Sequence, residues 1–188
     1  MSECPPTEPP QARAPVHVPS RVLVNTGDGK GKTTAALGTA LRAVARGWSV
    51  CVIQFMKSDK WKVGEERIAR SIGIQWWTIG DGFTWESEDM DRTQAVALEA
   101  WRAAQDAISS GHYEMVVLDE ITYPLSWGWI PSAELVRAIT SRPDHVNIIA
   151  TGRNAGPELI DVADTVTEMR SVRHAFDSGI GARRGIEF

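Results

Sequence analysis

The sequence predicts an α/β fold, with a mostly parallel central sheet of about six strands flanked by helices. Three observations carry this. Short apolar runs of strand length alternate with stretches of helical period along most of the chain. Runs such as SVCVIQF and MVVLD are apolar at consecutive positions, as strands covered on both faces must be. The first apolar run passes through a glycine-rich turn straight into a helical stretch.

Order is expected from Arg21, where Val22, Leu23 and Val24 form the first strand. A helix follows from Thr33 to Arg46, with Leu37, Leu41 and Val44 at helical spacing and Gly47 as its stop. Ser49 to Phe55 reads as the second strand, Gly64 to Ser71 as a short helix, and Ile74 to Ile79 as the third strand. Gly80 to Asp89 reads as a loop. Asp91 to Ser110 is a helix carrying Ala97, Trp101, Ala104 and Ile108 on one face, closed by Gly111. Met115 to Asp119 is the fourth strand. Ser132 is expected to cap a helix bearing Leu135, Val136 and Ile139. Val146 to Thr151 is the fifth strand, Pro157 suits the first turn of another helix, and Thr165 to Met169 is the sixth strand. No internal repeat is visible.

The chemistry starts at Thr26-Gly27-Asp28-Gly29-Lys30-Gly31-Lys32-Thr33-Thr34. A triphosphate needs converging backbone N–H groups and a cation. Glycines allow the tight wrap, the helix N-terminus faces the phosphates, Lys32 supplies the cation and the Thr33 hydroxyl suits a metal. This implies a P-loop NTPase-like protein that binds a nucleoside triphosphate with a divalent metal, ATP with Mg²⁺ (or Mn²⁺). One departure stands out: Thr26 occupies the position where the strict pattern has glycine.

The fourth strand ends in Asp119-Glu120. In a parallel sheet that end meets the ligand, so either carboxylate is a candidate metal ligand beside Thr33. This pair alone does not separate hydrolysis from group transfer. The fifth strand ends in Thr151-Gly152-Arg153, which puts Arg153 at the same edge as a nucleotide or substrate contact. Phe83 and Trp85 in the loop GDGFTWE form either the wall of a site for a large flat ligand or a packing anchor. Trp76, Trp77, Trp127 and Trp129 have the same two readings. Lys57, Lys60 and Lys62 read as a solvated face.

Bulk properties narrow the classes. The 188 residues fit a Pro-rich tail at 1–20, disordered or lid-like, and a single domain at 21–188, with 43% hydrophobic residues to build a core. The net charge of −4 argues against a dedicated nucleic-acid binder. No apolar run approaches the ~20 residues of a membrane helix, and the start of the chain lacks a signal-peptide pattern. Cys4 and Cys51 are not expected to pair, which fits a reducing, cytoplasmic setting. No histidine pair has zinc-like spacing.

Several separated motifs then point to one family. TGDGKGKTTAALGTALRA, GDGFTWE, VVLDEITY, IIATGRNA and VRHAFDSGIGARRGIEF occur in this order between about Arg21 and Phe188. Together they resemble the corrinoid adenosyltransferases of bacterial cobalamin synthesis, the cob(I)yrinic acid a,c-diamide (cob(I)alamin) adenosyltransferases. Thr26 fits, because that family has Thr before its loop. The resemblance implies that Co(I) of a corrinoid attacks C5′ of ATP and that tripolyphosphate leaves. It implies a nucleotide reversed relative to ordinary P-loop ATPases and Glu120 as metal-binding carboxylate, with Asp119 behind it or alternating with it. Phe83 and Trp85 would pack on the lower corrin face and exclude the axial ligand. A homodimer, reduced flavin or a flavoprotein as reductant, and an N-terminal segment acting as a lid are further implications. The competing readings are a nucleotide hydrolase or kinase, and a nucleotide-dependent corrinoid-binding module without turnover.

Overall fold

The computed structural model describes residues 14, 16–56, 64–79 and 90–186. Its elements are β1 (Val22–Thr26), α1 (Lys32–Val44), β2 (Val50–Gln54), α2 (Gly64–Ser71), β3 (Gln75–Thr78), α3 (Met90–Ser109), β4 (Met115–Asp119), α4 (Thr122–Ser126), α5 (Ser132–Thr140), β5 (Asn147–Thr151), α6 (Pro157–Asp161) and β6 (Thr165–Glu168), followed by a 3-10 turn at Ala175–Ser178. The strands form one six-stranded sheet in the order β3-β2-β4-β5-β1-β6. Every neighbouring pair is parallel. The expected strands and long helices are all present.

Alternation along the strands divides the core. Cys51, Ile53, Val116, Leu118, Ile148 and Ala150 face α3, α5 and α6, where Trp101, Ile108, Leu135, Ile139 and Leu159 are buried. Val50, Val52, Met115, Val117 and Ile149 face the other way, against Ala36, Ala40 and Ala43 of α1 and Trp76 of β3. α1 therefore buries an alanine stripe, and Leu41 of the expected apolar face is exposed. Small side chains let a helix axis approach its neighbour closely, which draws the start of α1 in toward the sheet edge.

Three other expectations are corrected. Pro131 holds the N-cap position of α5 with an extended backbone, and Ser132 is its first helical residue without a capping hydrogen bond. β6 is exposed at all four positions, so the sheet is not covered on both faces at this edge. Its sequence TVTE is too polar to need cover. Packing also begins one residue early: Ser20 is buried, and its hydroxyl accepts from Arg142 Nη2 at 3.0 Å. The five-residue helix α4 carries no periodic signal and contains Pro124. Among the described residues, no helix is long and apolar enough to cross a membrane.

Candidate functional site

Parallel register lines up the strand ends. Gln54 pairs with Asp119 across β2 and β4, and Asn25 with Thr151 across β1 and β5. Thr26 pairs with Glu168 across β1 and β6. Polar groups at the C-terminal ends of the strands thus gather at one sheet edge, where α/β proteins bind ligands.

β1 delivers the glycine-rich loop to this edge. Lys32 Nζ donates to Gly27 O and Gly29 O, both at 2.7 Å, so the cation sits within the loop that precedes it. Burial, then the nearby Arg153 guanidinium, holds Lys32 below the ordinary lysine value of 10.5; Glu120, Asp28 and Asp119 pull the other way. Gly27 has φ 94°, and a Cβ there would fall 2.5 Å from Met169 O. The Gly29 N–H donates to Met169 O at 2.7 Å, and the Met169 N–H donates to Thr26 O at 2.8 Å. The glycines therefore also admit the chain that follows β6, which braces the loop from outside.

Thr26 has its own task. Its hydroxyl accepts from the Ala155 N–H at 3.1 Å, tying the loop to the segment after β5. Glycine has no side chain to do this, which gives the departure a physical reason. Arg153 Nη1 lies 3.5 Å from Asp28 Oδ1 in an exposed ion pair across the loop. Lys30 and Thr34 are exposed beside it, and Gly31 with φ 105° opens α1.

Asp119 organises the acidic side. It is fully buried. Its Oδ1 accepts from Thr33 Oγ1 and Thr151 Oγ1, each at 2.8 Å, and its Oδ2 from Gln54 Nε2 at 2.8 Å. The Glu120 N–H donates to Thr151 Oγ1 at 2.9 Å. Glu120 has φ 64°, a left-handed backbone that costs a non-glycine residue of order 1 kcal/mol and concentrates at functional sites. Its charge acts on Lys32 and, after burial, helps push the Tyr123 phenol up. A hydroxyl and two carboxylates are hard oxygen donors, which suit Mg²⁺ or Mn²⁺.

The structure thus brings Lys32, Thr33, Asp119, Glu120, Asp28 and Arg153 together. Phe83, Trp85, Lys57, Lys60 and Lys62 lie outside the described residues. Trp76 is core, while Trp127 is half exposed and packs at a tilt, its ring 4.8 Å from that of Trp129 and 5.5 Å from that of Tyr123. Gln54, Asn25 and the Thr151 hydroxyl were not anticipated. Asn25 Nδ2 donates to Lys32 O at 3.3 Å. Their signal was available: a polar residue near the C-terminal end of an otherwise apolar strand.

A family model described as "ATP:corrinoid adenosyltransferase BtuR/CobO/CobP" matches residues 19–188. "Corrinoid adenosyltransferase CobA" of Salmonella typhimurium is 41% identical over 167 residues, spanning 89% of this chain and 85% of that protein. A "Corrinoid adenosyltransferase" of a Sinorhizobium species is 43% identical over 170 residues, spanning 89% and 79%. One from Pseudomonas aeruginosa is 40% identical over 169 residues, spanning 89% and 83%. With the phosphate loop, the buried Asp119 and the adjoining Glu120 set at one edge of an all-parallel sheet, the chain belongs to the ATP:corrinoid adenosyltransferase family.

Proposed function

We propose that this chain transfers the 5′-deoxyadenosyl group of ATP to the Co(I) of a corrinoid, releasing inorganic tripolyphosphate, in adenosylcobalamin biosynthesis and corrinoid salvage. The family match across residues 19–188 carries the reading, and the site geometry agrees with it. The cobalt electron pair forms the Co–C bond at C5′. The C5′–O pair stays with the departing oxygen, so the leaving chain gains one negative charge.

Lys32, the loop amides and the N-terminus of α1 hold that charge. Thr33 and Glu120, with Asp119 behind or beside them, would hold the Mg²⁺ (or Mn²⁺), which when bound neutralises charge on the triphosphate. Asp119 reaches this group through the Thr33 hydroxyl that it orients. Arg153, paired with Asp28 and carried by the turn after β5, positions the nucleotide beside the loop. Phe83 and Trp85 form the apolar wall that keeps an axial ligand off cobalt, which makes Co(II) easier to reduce. The enzyme works in the cytoplasm as a homodimer, with reduced flavin or a flavoprotein as electron donor. Residues 21–188 act as one domain; the Pro-rich tail at 1–20, expected to be disordered or lid-like, lies mostly outside the described residues.

A product assay tests this. ATP, metal and chemically reduced corrinoid should yield tripolyphosphate and a light-sensitive cobalt–carbon bond in equal amounts. ADP or AMP would instead indicate a hydrolase or kinase, and no product a binding module; either result removes the reading.

A further inference from the structure

The motif VRHAF at Val172–Phe176 takes no part in the contacts described above. With Lys30, Arg170 and Ser171, its residues Arg173 and His174 line a cavity of about 300 Å³. Lys30 belongs to the phosphate loop, so the cavity adjoins the path of the triphosphate. Its wall is held in place. The Gly29 N–H donates to Met169 O, and a Cβ on Gly29 would meet the Arg170 carbonyl at 2.8 Å. His174 Nδ1 accepts from the Phe176 N–H at 3.1 Å, which leaves Nε2 as the donor of the neutral ring.

Three cationic side chains and an imidazole around one cavity, in a chain of net charge −4, select an anion. Sheet order indicates which one. β5 separates β1 from β4, so Asp119 and Glu120 lie on one side of the loop, while β6 and the cavity lie on the other. A phosphate chain lying along the loop has one end toward the carboxylates and the other toward Lys30, Arg170 and Arg173.

We propose that this cavity is a second phosphate subsite, which binds the end of the triphosphate that points away from Asp119 and Glu120 and retains tripolyphosphate after transfer. The proposal rests on the adenosyl-transfer reading, in which the leaving chain carries one more negative charge than it had within ATP. The same chemistry would also recognise carboxylates on the corrinoid rim, and the test separates the two.

Calorimetric titration of the full chain with magnesium tripolyphosphate and magnesium pyrophosphate compares the parent with Arg173→Ala and Arg173→Lys. Loss of one charge-assisted contact should weaken tripolyphosphate by about tenfold and the shorter pyrophosphate by less than about threefold. Arg173→Lys should recover most of the difference and restore the salt dependence. Arg170→Ala serves as the second variant if Arg173→Ala fails to fold. No loss, or equal losses for both ligands, would overturn the subsite. A change confined to the KM of a carboxylated corrinoid would overturn it too, by assigning the cavity to the corrinoid. The products of the parent enzyme are read separately. Tripolyphosphate there upholds adenosyl transfer whatever the variants do, whereas ADP or AMP removes that reading and the subsite with it.

Discussion

The Thr33 hydroxyl donates to Asp119 Oδ1 at 2.8 Å, joining residues 86 positions apart in the chain. Thr151 donates to the same oxygen and Gln54 to the other, so one buried carboxylate holds α1, β2, β4 and β5 in a common frame. Asp119→Asn keeps the shape but turns an acceptor into an N–H donor that faces donors. Stability should fall by about 2 kcal/mol, read from urea denaturation, and the metal requirement should rise because Thr33 loses its orientation. Parent-like values for both would deny Asp119 its organising role.

Lys32→Ala should weaken ATP binding by about a hundredfold, since the loop loses its central cation. In the parent, the lowered pKa sets two opposite trends in the same alkaline window. Between the folded value and 10.5 the unfolded chain binds more protons, so stability rises with pH, while ATP affinity falls as the ammonium is lost. Both slopes should be absent in Lys32→Ala. Retention of the affinity slope would place the titrating cation elsewhere.

Glu120→Gln should leave the melting temperature near that of the parent and raise the metal concentration for half-maximal activity by about tenfold or more. A metal titration superimposable on the parent would remove Glu120 from the site.

Gly152 has φ 138°, and a Cβ there would fall 2.0 Å from Oγ1 of the buried Thr122. Gly152→Ala should therefore cost about 3 kcal/mol and displace the turn that carries Thr151 and Arg153. The denaturation midpoint measures the first effect and ATP affinity the second. A variant as stable as the parent would contradict this packing.

Phe83→Ala with Trp85→Ala should harm activity from Co(II) plus reductant more than activity from prepared Co(I), because only the first needs the axial ligand removed. ATP affinity should change little. The ratio of the two activities, mutant against parent, is the measurement. An unchanged ratio with a lower melting temperature would make the rings structural.

Much of the candidate site was legible because its pattern is local. The Gly-rich run from Gly27 to Gly31, with Lys32 and Thr33, must follow one strand directly, and Asp119-Glu120 must end another. Residue type and spacing alone express both. The strands were equally readable, since burial on both faces leaves runs such as MVVLD at Met115–Asp119 with almost no polar residue. The partners of Asp119 were not, because Gln54 and Thr151 reach it through strand register, and no local pattern states which strands are neighbours.

By itself, the sequence determined the α/β class, the glycine-rich loop after the first strand and the acidic strand end, which follow from short-range period and composition, and the family resemblance, which follows from several motifs in order. Only the tertiary structure decided the order β3-β2-β4-β5-β1-β6 and the alanine face of α1. It also decided the tie from Thr26 to Ala155 and the bracing of the loop by Met169. The physical reason is that these contacts join segments far apart in the chain. Their partners are selected by packing and by the need to satisfy buried polar groups, conditions that exist only once the sheet is assembled.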